Sequence, residues 1–169
     1  MIVISVELPE RALRWRLPMK KLIAGLALAA TLVAPMAVTP VVSAAPAATL
    51  STEQQADIAK KLFRESNQIR KRAGKKPLDW DEQLAVDSTK WSAFQARVGK
   101  LQHDTTHMMG VFDAENVFWT SDNHPEKAVK AWKDSPGHYR NIVGDYRRVG
   151  IGMCQDWRGG WYVTQRFLR

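Results

Sequence analysis

The chain of 169 residues holds four histidines and a single cysteine, and any site chemistry has to be built from these and its carboxylates. His103 and His107 form H-x-x-x-H, the spacing of one helical face. Asp104 stands where a metalloprotease helix carries its general-base glutamate, and Thr105 and Thr106 weaken the helix expectation. His107 and His124 are therefore read as surface residues. His103 and His138 lie 35 residues apart, so no local spacing implies that they meet. Glu115 could be a metal ligand, a general base, or a buried acid held by Asn116 and backbone amides. Ser135 precedes Pro136 and His138, a Ser/His pair on paper. A serine that caps a helix spends its oxygen on backbone amides, however, and no G-x-S-x-G elbow surrounds it. Cys154 has glycine neighbours and no basic partner nearby in sequence, which is not the setting of an activated thiolate. These residues alone do not make an enzyme.

The exclusions extend to whole function classes. One cysteine rules out an internal disulfide and any cysteine-based zinc ribbon or iron–sulfur site. Neither GxGxxG nor GxxxxGK[ST] occurs, so the familiar phosphate-cradling loops are absent. The chain is 45% hydrophobic and 25% charged, the composition of one ordinary domain and not of a disordered segment. Its formal charge of +8 favours anionic partners such as wall polymers. The basic block Arg70, Lys71, Arg72, Lys75 and Lys76 has no interleaved aromatics for base stacking, so no nucleic-acid partner is expected.

The run Leu22–Ala45 carries no charge and follows Lys20-Lys21, with small residues at Val42-Ser43-Ala44. This reads as a signal peptide over residues 1–44, with Met19 as an alternative start, and it implies secretion. An N-terminal membrane anchor is the other reading of the same run. Residues 45–54 form a linker rich in Ala, Pro and Thr, and 55–169 form the domain.

The elements that would position the candidate residues follow from period and punctuation. Ser51 or Thr52, with Gln54 or Gln55 at the capping-box position, opens a helix whose stripe is Ile58, Leu62, Ser66 and Ile69 and which ends before Gly74 and Pro77. A second helix starts at Asp81, with Leu84, Ser88, Trp91 and Val98 inward. Glu126–Trp132 is a short helix, and Ser135-Pro136 opens another that carries His138, Tyr139, Asn141 and Ile142. Val149, Ile151 and Met153 then alternate with Gly150, Gly152 and Cys154. A glycine-containing loop joins this run to Trp161–Leu168, the signature of a β-hairpin. Helices first and a hairpin last indicate an α+β fold. Trp80, Trp91, Trp119, Trp132, Trp161 and Phe167 are read as mostly core.

Several segments in this order resemble one family. They are Leu62–Arg70 leading to Pro77-Leu78-Asp79-Trp80-Asp81, Leu101-Gln102-His103, Ala114-Glu115-Asn116, Ala131–Ile142 with its Ser-Pro-Gly-His core, and the closing hairpin. Over residues 55–168 the chain resembles the CAP superfamily (cysteine-rich secretory protein, antigen 5, pathogenesis-related 1) in its short bacterial secreted form. The resemblance implies an α-β-α sandwich with a central antiparallel sheet. It also implies a cleft with two histidines and two acids, matched here by His103, Glu115 and His138. Ser135 stands where the second acid is expected, with Asp134 as a neighbouring candidate. Two imidazoles and a carboxylate make a zinc set with one position left for water. Asn67 and Arg70, one turn apart, read as polar latches on the first helix, and Asn116 and Asn141 belong to the same motifs.

Three functions are compatible with this sequence. The first is a secreted binding module, monomeric or weakly dimeric, whose cleft takes a divalent metal such as zinc or a lipid- or sterol-like apolar ligand. The second is a metal-dependent hydrolase using His103, Glu115 and His138. The third is a wall-associated structural protein that binds anionic polymers through its basic surface. Two outcomes follow from the sequence itself. N-terminal sequencing of exported protein should begin at Ala45, whereas an anchor would leave Leu22 onward in the mature chain. Reducing agent should leave the melting temperature of the monomer unchanged, because Cys154 has no partner in the chain.

Overall fold

The computed structural model describes residues 49–169, so the expected signal peptide and the start of the linker lie outside the described residues. Helix α1 spans Thr52–Arg72 and begins inside the stretch read as linker. It opens on a reciprocal capping box, with the Gln54 amide donating to Ser51 Oγ at 3.2 Å and the Ser51 amide donating to Gln54 Oε1 at 2.8 Å. Glu53 in its first turn and Arg70, Lys71 and Arg72 in its last suit the helix dipole. Strand β1 is Asp79–Trp80, followed by α2 at Glu82–Val98. Asp81 Oδ1 caps α2 by accepting from the Leu84 amide at 2.9 Å, and Gly99 ends it at φ 66°. Strand β2 is Ala114–Thr120; a single 3₁₀ turn at Pro125–Lys127 leads into α3, Ala128–Asp134. Helix α4 is Pro136–Ile142, and β3 (Arg148–Gln155) and β4 (Trp161–Leu168) form the expected hairpin.

The four strands lie in the order β1-β3-β4-β2. β4 pairs antiparallel with β3 on one side and with β2 on the other, Glu115 lying opposite Arg166 and Asn116 opposite Gln165. β1 pairs parallel with β3 over two residues, so the sheet is mixed and not wholly antiparallel. The reason is topological: three helices and β2 separate β1 from β3, and a connection of that length can return a strand in either direction.

Strand alternation separates two faces. Val149, Ile151, Met153, Trp161, Val163 and Phe167 point to the face covered by α1, α3 and α4, where they meet Leu62, Ile69, Val129, Trp132 and Ile142 in the main core. Gly150 and Gly152 point to the other face, against α2. A Cβ on Gly150 would overlap the backbone at Leu84 and Ala85, and one on Gly152 would overlap Thr89. Glycine there lets the helix backbone lie directly on the strand, where Ser88 and Ser92 donate to the Gly150 and Gly152 carbonyls at 3.3 and 3.2 Å. The result is the α-β-α sandwich.

Three placements differ from expectation. Val98 is 47% exposed because the buried stripe of α2 stops at Ala96 as the helix ends. Trp119 is 45% exposed near the end of β2, an edge strand, with Tyr162 as its ring neighbour. Cys154, expected from its place in the alternating strand to be a small buried residue, is only half-buried near the end of β3.

Polar side chains tie these layers together. Asn67 bonds Leu78 in both directions, donating to its carbonyl at 3.0 Å and accepting from its amide at 2.8 Å. Arg70 is 2% exposed and donates to the carbonyls of Lys76, Ile142, Gly144 and Tyr146 at 2.7 to 3.3 Å. Its burial lowers the guanidinium pKa, with the charge of Asp145 opposing the shift. Arg70→Ala should destabilise the protein by about 3 kcal/mol, because it takes the side-chain donor from the carbonyls of Lys76, Ile142 and Tyr146. Arg70→Lys should recover part of that loss. Urea midpoints at unchanged m value measure both.

Candidate functional site

Strand β2 delivers two adjacent side chains to opposite faces of the sheet. Asn116 is fully buried on the α1 side, donating to Gln165 Oε1 at 3.1 Å and to the His138 carbonyl at 3.3 Å. Its Oδ1 accepts from Asn141 at 2.8 Å, and Asn141 also donates to the Glu115 carbonyl at 3.2 Å. Trp132 donates in turn to the Val117 carbonyl at 3.1 Å. Because β2 pairs only with β4 among the described residues, these bonds satisfy carbonyls that lie outside the ladder and bind α3 and α4 to that edge.

Glu115 meets Arg166, whose side chain is 0% exposed. Arg166 Nε donates to Glu115 Oε2 at 2.9 Å, Nη2 to Asp104 Oδ2 at 2.9 Å, and Nη1 to the Met109 carbonyl at 2.6 Å. The guanidinium also lies 4.3 Å from the centre of the Phe112 ring. Burial works against the Asp104 carboxylate. The amides of Met109 and Met108 and the Arg166 guanidinium outweigh that burial and hold its pKa below the ordinary value. Glu115 Oε1 accepts from the Asp104 amide at 3.1 Å and contacts His103 Nδ1 at 2.9 Å.

Neither Arg166 nor Asp104 was singled out from the sequence as part of the site. The signal for Arg166 was present: it alternates with Gln165 and Phe167 in a strand expected to be buried, and a charge at such a position needs a partner. Asp104 carried no comparable signal, since its burial depends on a loop without regular structure.

The two imidazoles sit on different supports. His103 lies in that loop, its side chain 45% exposed and held through Nδ1 by Glu115. A carboxylate only accepts, so Nδ1–H is the donor in this contact and Nε2 faces away from Glu115. His138 lies half-buried on α4, with Nδ1 at 3.0 Å from Ser135 Oγ. Ser135 occupies the N-cap position of α4, yet its hydroxyl makes no capping bond and serves His138 instead, contrary to the expectation from sequence. Burial, and then the nearby charge of His103, lowers the His138 pKa. The charge of His103 thus reaches His138 in spite of their distance in sequence.

The remaining candidates stand apart. His107 adopts φ 54° in a turn and donates from Nε2 to the Phe112 carbonyl, so H-x-x-x-H is not a helical face. His124 pairs with Glu126, and Asp134 with Lys130, both at exposed positions. Burial raises the Cys154 thiol pKa, opposite to activation. A groove of about 240 Å³ between α1 and α3, lined by Glu65, Arg72, Lys130 and Lys133 among others, shares no residue with the histidine cluster.

Among the described residues no three His, Cys, Asp or Glu side chains are grouped to hold an ion. His103, Glu115 and His138 do not assemble as three ligands, because both Glu115 oxygens are committed and a guanidinium rests on one of them. What remains is a pair of imidazoles, each with an Nδ1 partner, an arrangement common around metal-ligating histidines.

Comparison with known proteins places the fold. Residues 63–167 match the cysteine-rich secretory protein family, CAP. The uncharacterized YkwD protein of Bacillus subtilis is 28% identical over 121 residues, covering 64% of this chain and 46% of that protein. The chain therefore spans about half the length of this curated relative. An extracellular protein containing an SCP domain from Bacillus anthracis aligns with TM-score 0.54 at 18% identity, over 73% of this chain and 45% of that one. A cysteine-rich secretory protein of Staphylococcus aureus aligns with TM-score 0.57 at 17% identity, over 70% and 40%. With the family match spanning most of the chain and the sandwich shared by these structures, the protein belongs to the CAP family in its bacterial form.

Proposed function

We propose that the protein works outside the cell as a CAP-domain binding module whose cleft takes a divalent transition metal, zinc foremost, on the Nε2 atoms of His103 and His138. The observation that carries this reading is the pair of Nδ1 contacts, Glu115 on His103 and Ser135 on His138. With His103 Nδ1–H donating to Glu115, and Ser135 Oγ able to accept from His138 Nδ1–H, both Nε2 lone pairs can be presented to a ligand. A bound zinc would supply a Lewis acid with positions open to water or to a second ligand. Only two protein donors serve it, so affinity should be modest. The hydrolase alternative is less favoured, because Glu115 has no uncommitted oxygen with which to act as a general base. Export is supported by the leader-like run before residue 45 and by the extracellular description of the Bacillus anthracis relative.

Calorimetric titration with zinc at pH 7.5 tests the cleft. His103→Ala and His138→Ala should each abolish binding, while His107→Ala and His124→Ala should leave it unchanged. Binding should weaken towards pH 5.5, since free imidazoles take up protons near about 6.5. In the metal-free protein the His138 ring should titrate below that value by NMR, because burial and the His103 charge oppose its protonation. Wild-type protein that binds no zinc at pH 7.5, or a greater loss from His107→Ala than from His103→Ala, would overturn the reading.

A further inference from the structure

The hydrogen bonds around β4 assign Arg166 a task that its burial alone does not require. We infer that Arg166 is the positioning residue of the cleft: through Glu115 it fixes the His103 proton on Nδ1, turns Nε2 outward as an acceptor, and withholds Glu115 itself from any ligand set. The inference rests on the cleft reading for the use of that Nε2. The proton's location is independent of it.

The argument starts at the guanidinium. Its three nitrogens have three separate acceptors, Glu115 Oε2, Asp104 Oδ2 and the Met109 carbonyl, and the Phe112 ring covers its face. A lysine ammonium on a flexible stem cannot present this planar fork. The Arg166, Asp104 and Glu115 side chains are 0%, 0% and 3% exposed, so water offers none of them a substitute partner. Glu115 is thereby held by one oxygen. Its other oxygen is gripped by two consecutive residues, the ring of His103 and the backbone amide of Asp104. That double contact leaves the carboxylate no freedom to rotate, and Asp104 closes the circuit because its own carboxylate returns to Arg166. An unattached neutral imidazole favours the proton on Nε2. An acceptor that cannot donate, fixed at 2.9 Å from Nδ1, imposes the opposite tautomer.

The test reads the proton directly, in the full chain labelled with ¹⁵N and free of metal. Long-range ¹H–¹⁵N correlation at pH 8 separates the two tautomers, with His107 as the internal Nε2–H reference. Wild-type His103 should show Nδ1–H. In Glu115→Gln the side-chain amide can offer its oxygen to only one side, either to Arg166 or to the His103 ring and the Asp104 amide together. The guanidinium, the stronger donor, should claim it, leaving the NH₂ against His103 Nδ1. His103 should then switch to Nε2–H, and zinc affinity should fall about ten- to a hundredfold. Adding Arg166→Met to Glu115→Gln removes the competitor, and the Nδ1–H signature should return. Circular dichroism identifies any variant that fails to fold; should the double variant do so, Glu115→Gln with Arg166→Lys carries the test, the lysine variant being expected to show mixed tautomers. Wild-type His103 in the Nε2–H form, or a tautomer unchanged by Glu115→Gln, would overturn the inference. Absence of zinc binding in the wild type would defeat the cleft reading and leave the tautomer result standing.

Discussion

A guanidinium with no access to water is the constraint around which this end of the molecule is arranged. Arg166 sits on β4, the strand flanked by both long neighbours, where alternation directs its side chain under α2 instead of into solvent. Removing one partner of a buried ion pair typically costs about 3–5 kcal/mol, because the remaining charge is left uncompensated. Asp104 and Glu115 must therefore both be in place, and each brings a different part of the chain. Glu115 fixes β2 beside β4, and Asp104 draws in the loop between α2 and β2, whose backbone amides at Met108 and Met109 fold over the same carboxylate. A loop without helix or strand thus acquires a buried anchor, and His103 is positioned as the residue next to it.

Arg70 plays the corresponding part at the opposite face with a different partner class. It meets four carbonyls and no carboxylate, gathering the ends of α1 and α4 and the turn that leads into β3. The contrast has a physical consequence. Carbonyls at chain ends need donors and are tied by a cation that stays protonated even where burial lowers its pKa. The site face instead uses ionised pairs, whose geometry passes directly to a neighbouring imidazole. The glycine face of β3 permits both, since α2 lies close enough on Gly150 and Gly152 to shelter Arg166 while the apolar side of the sheet remains free for α1.

Much of the scaffold was legible in the sequence, because it follows from local rules. The capping box at Ser51, the start of α2 at Asp81, the proline opening α4 and the alternation of β3 each act within a few residues. Strand β2 was not legible as a strand. It begins Ala-Glu-Asn, residues depleted in sheets, and is held by its pairing with β4 and by side chains from α3 and α4. The two-residue β1 is likewise a product of tertiary pairing. At the site, the residues that matched the family pattern could be named, but their roles could not. Whether Glu115 is a ligand or a support depends on what occupies its oxygens, and those partners lie 11, 12 and 51 residues away. Ser135 shows the same limit in a smaller compass. Its position as a cap was readable, whereas its hydroxyl's turn towards His138, three residues on, was a choice between two local acceptors and donors.

The two imidazoles are consequently oriented under unequal terms. His103 is oriented by a carboxylate that only accepts, itself clamped by a buried cation, so its tautomer follows from charge. His138 is oriented by a serine hydroxyl that can donate or accept, and its backbone is held by the neutral amide of Asn116. Its proton is therefore free to move between ring nitrogens without breaking the contact. For the metal proposed here, one nitrogen would be already prepared and the second would adapt by rotation of a hydroxyl.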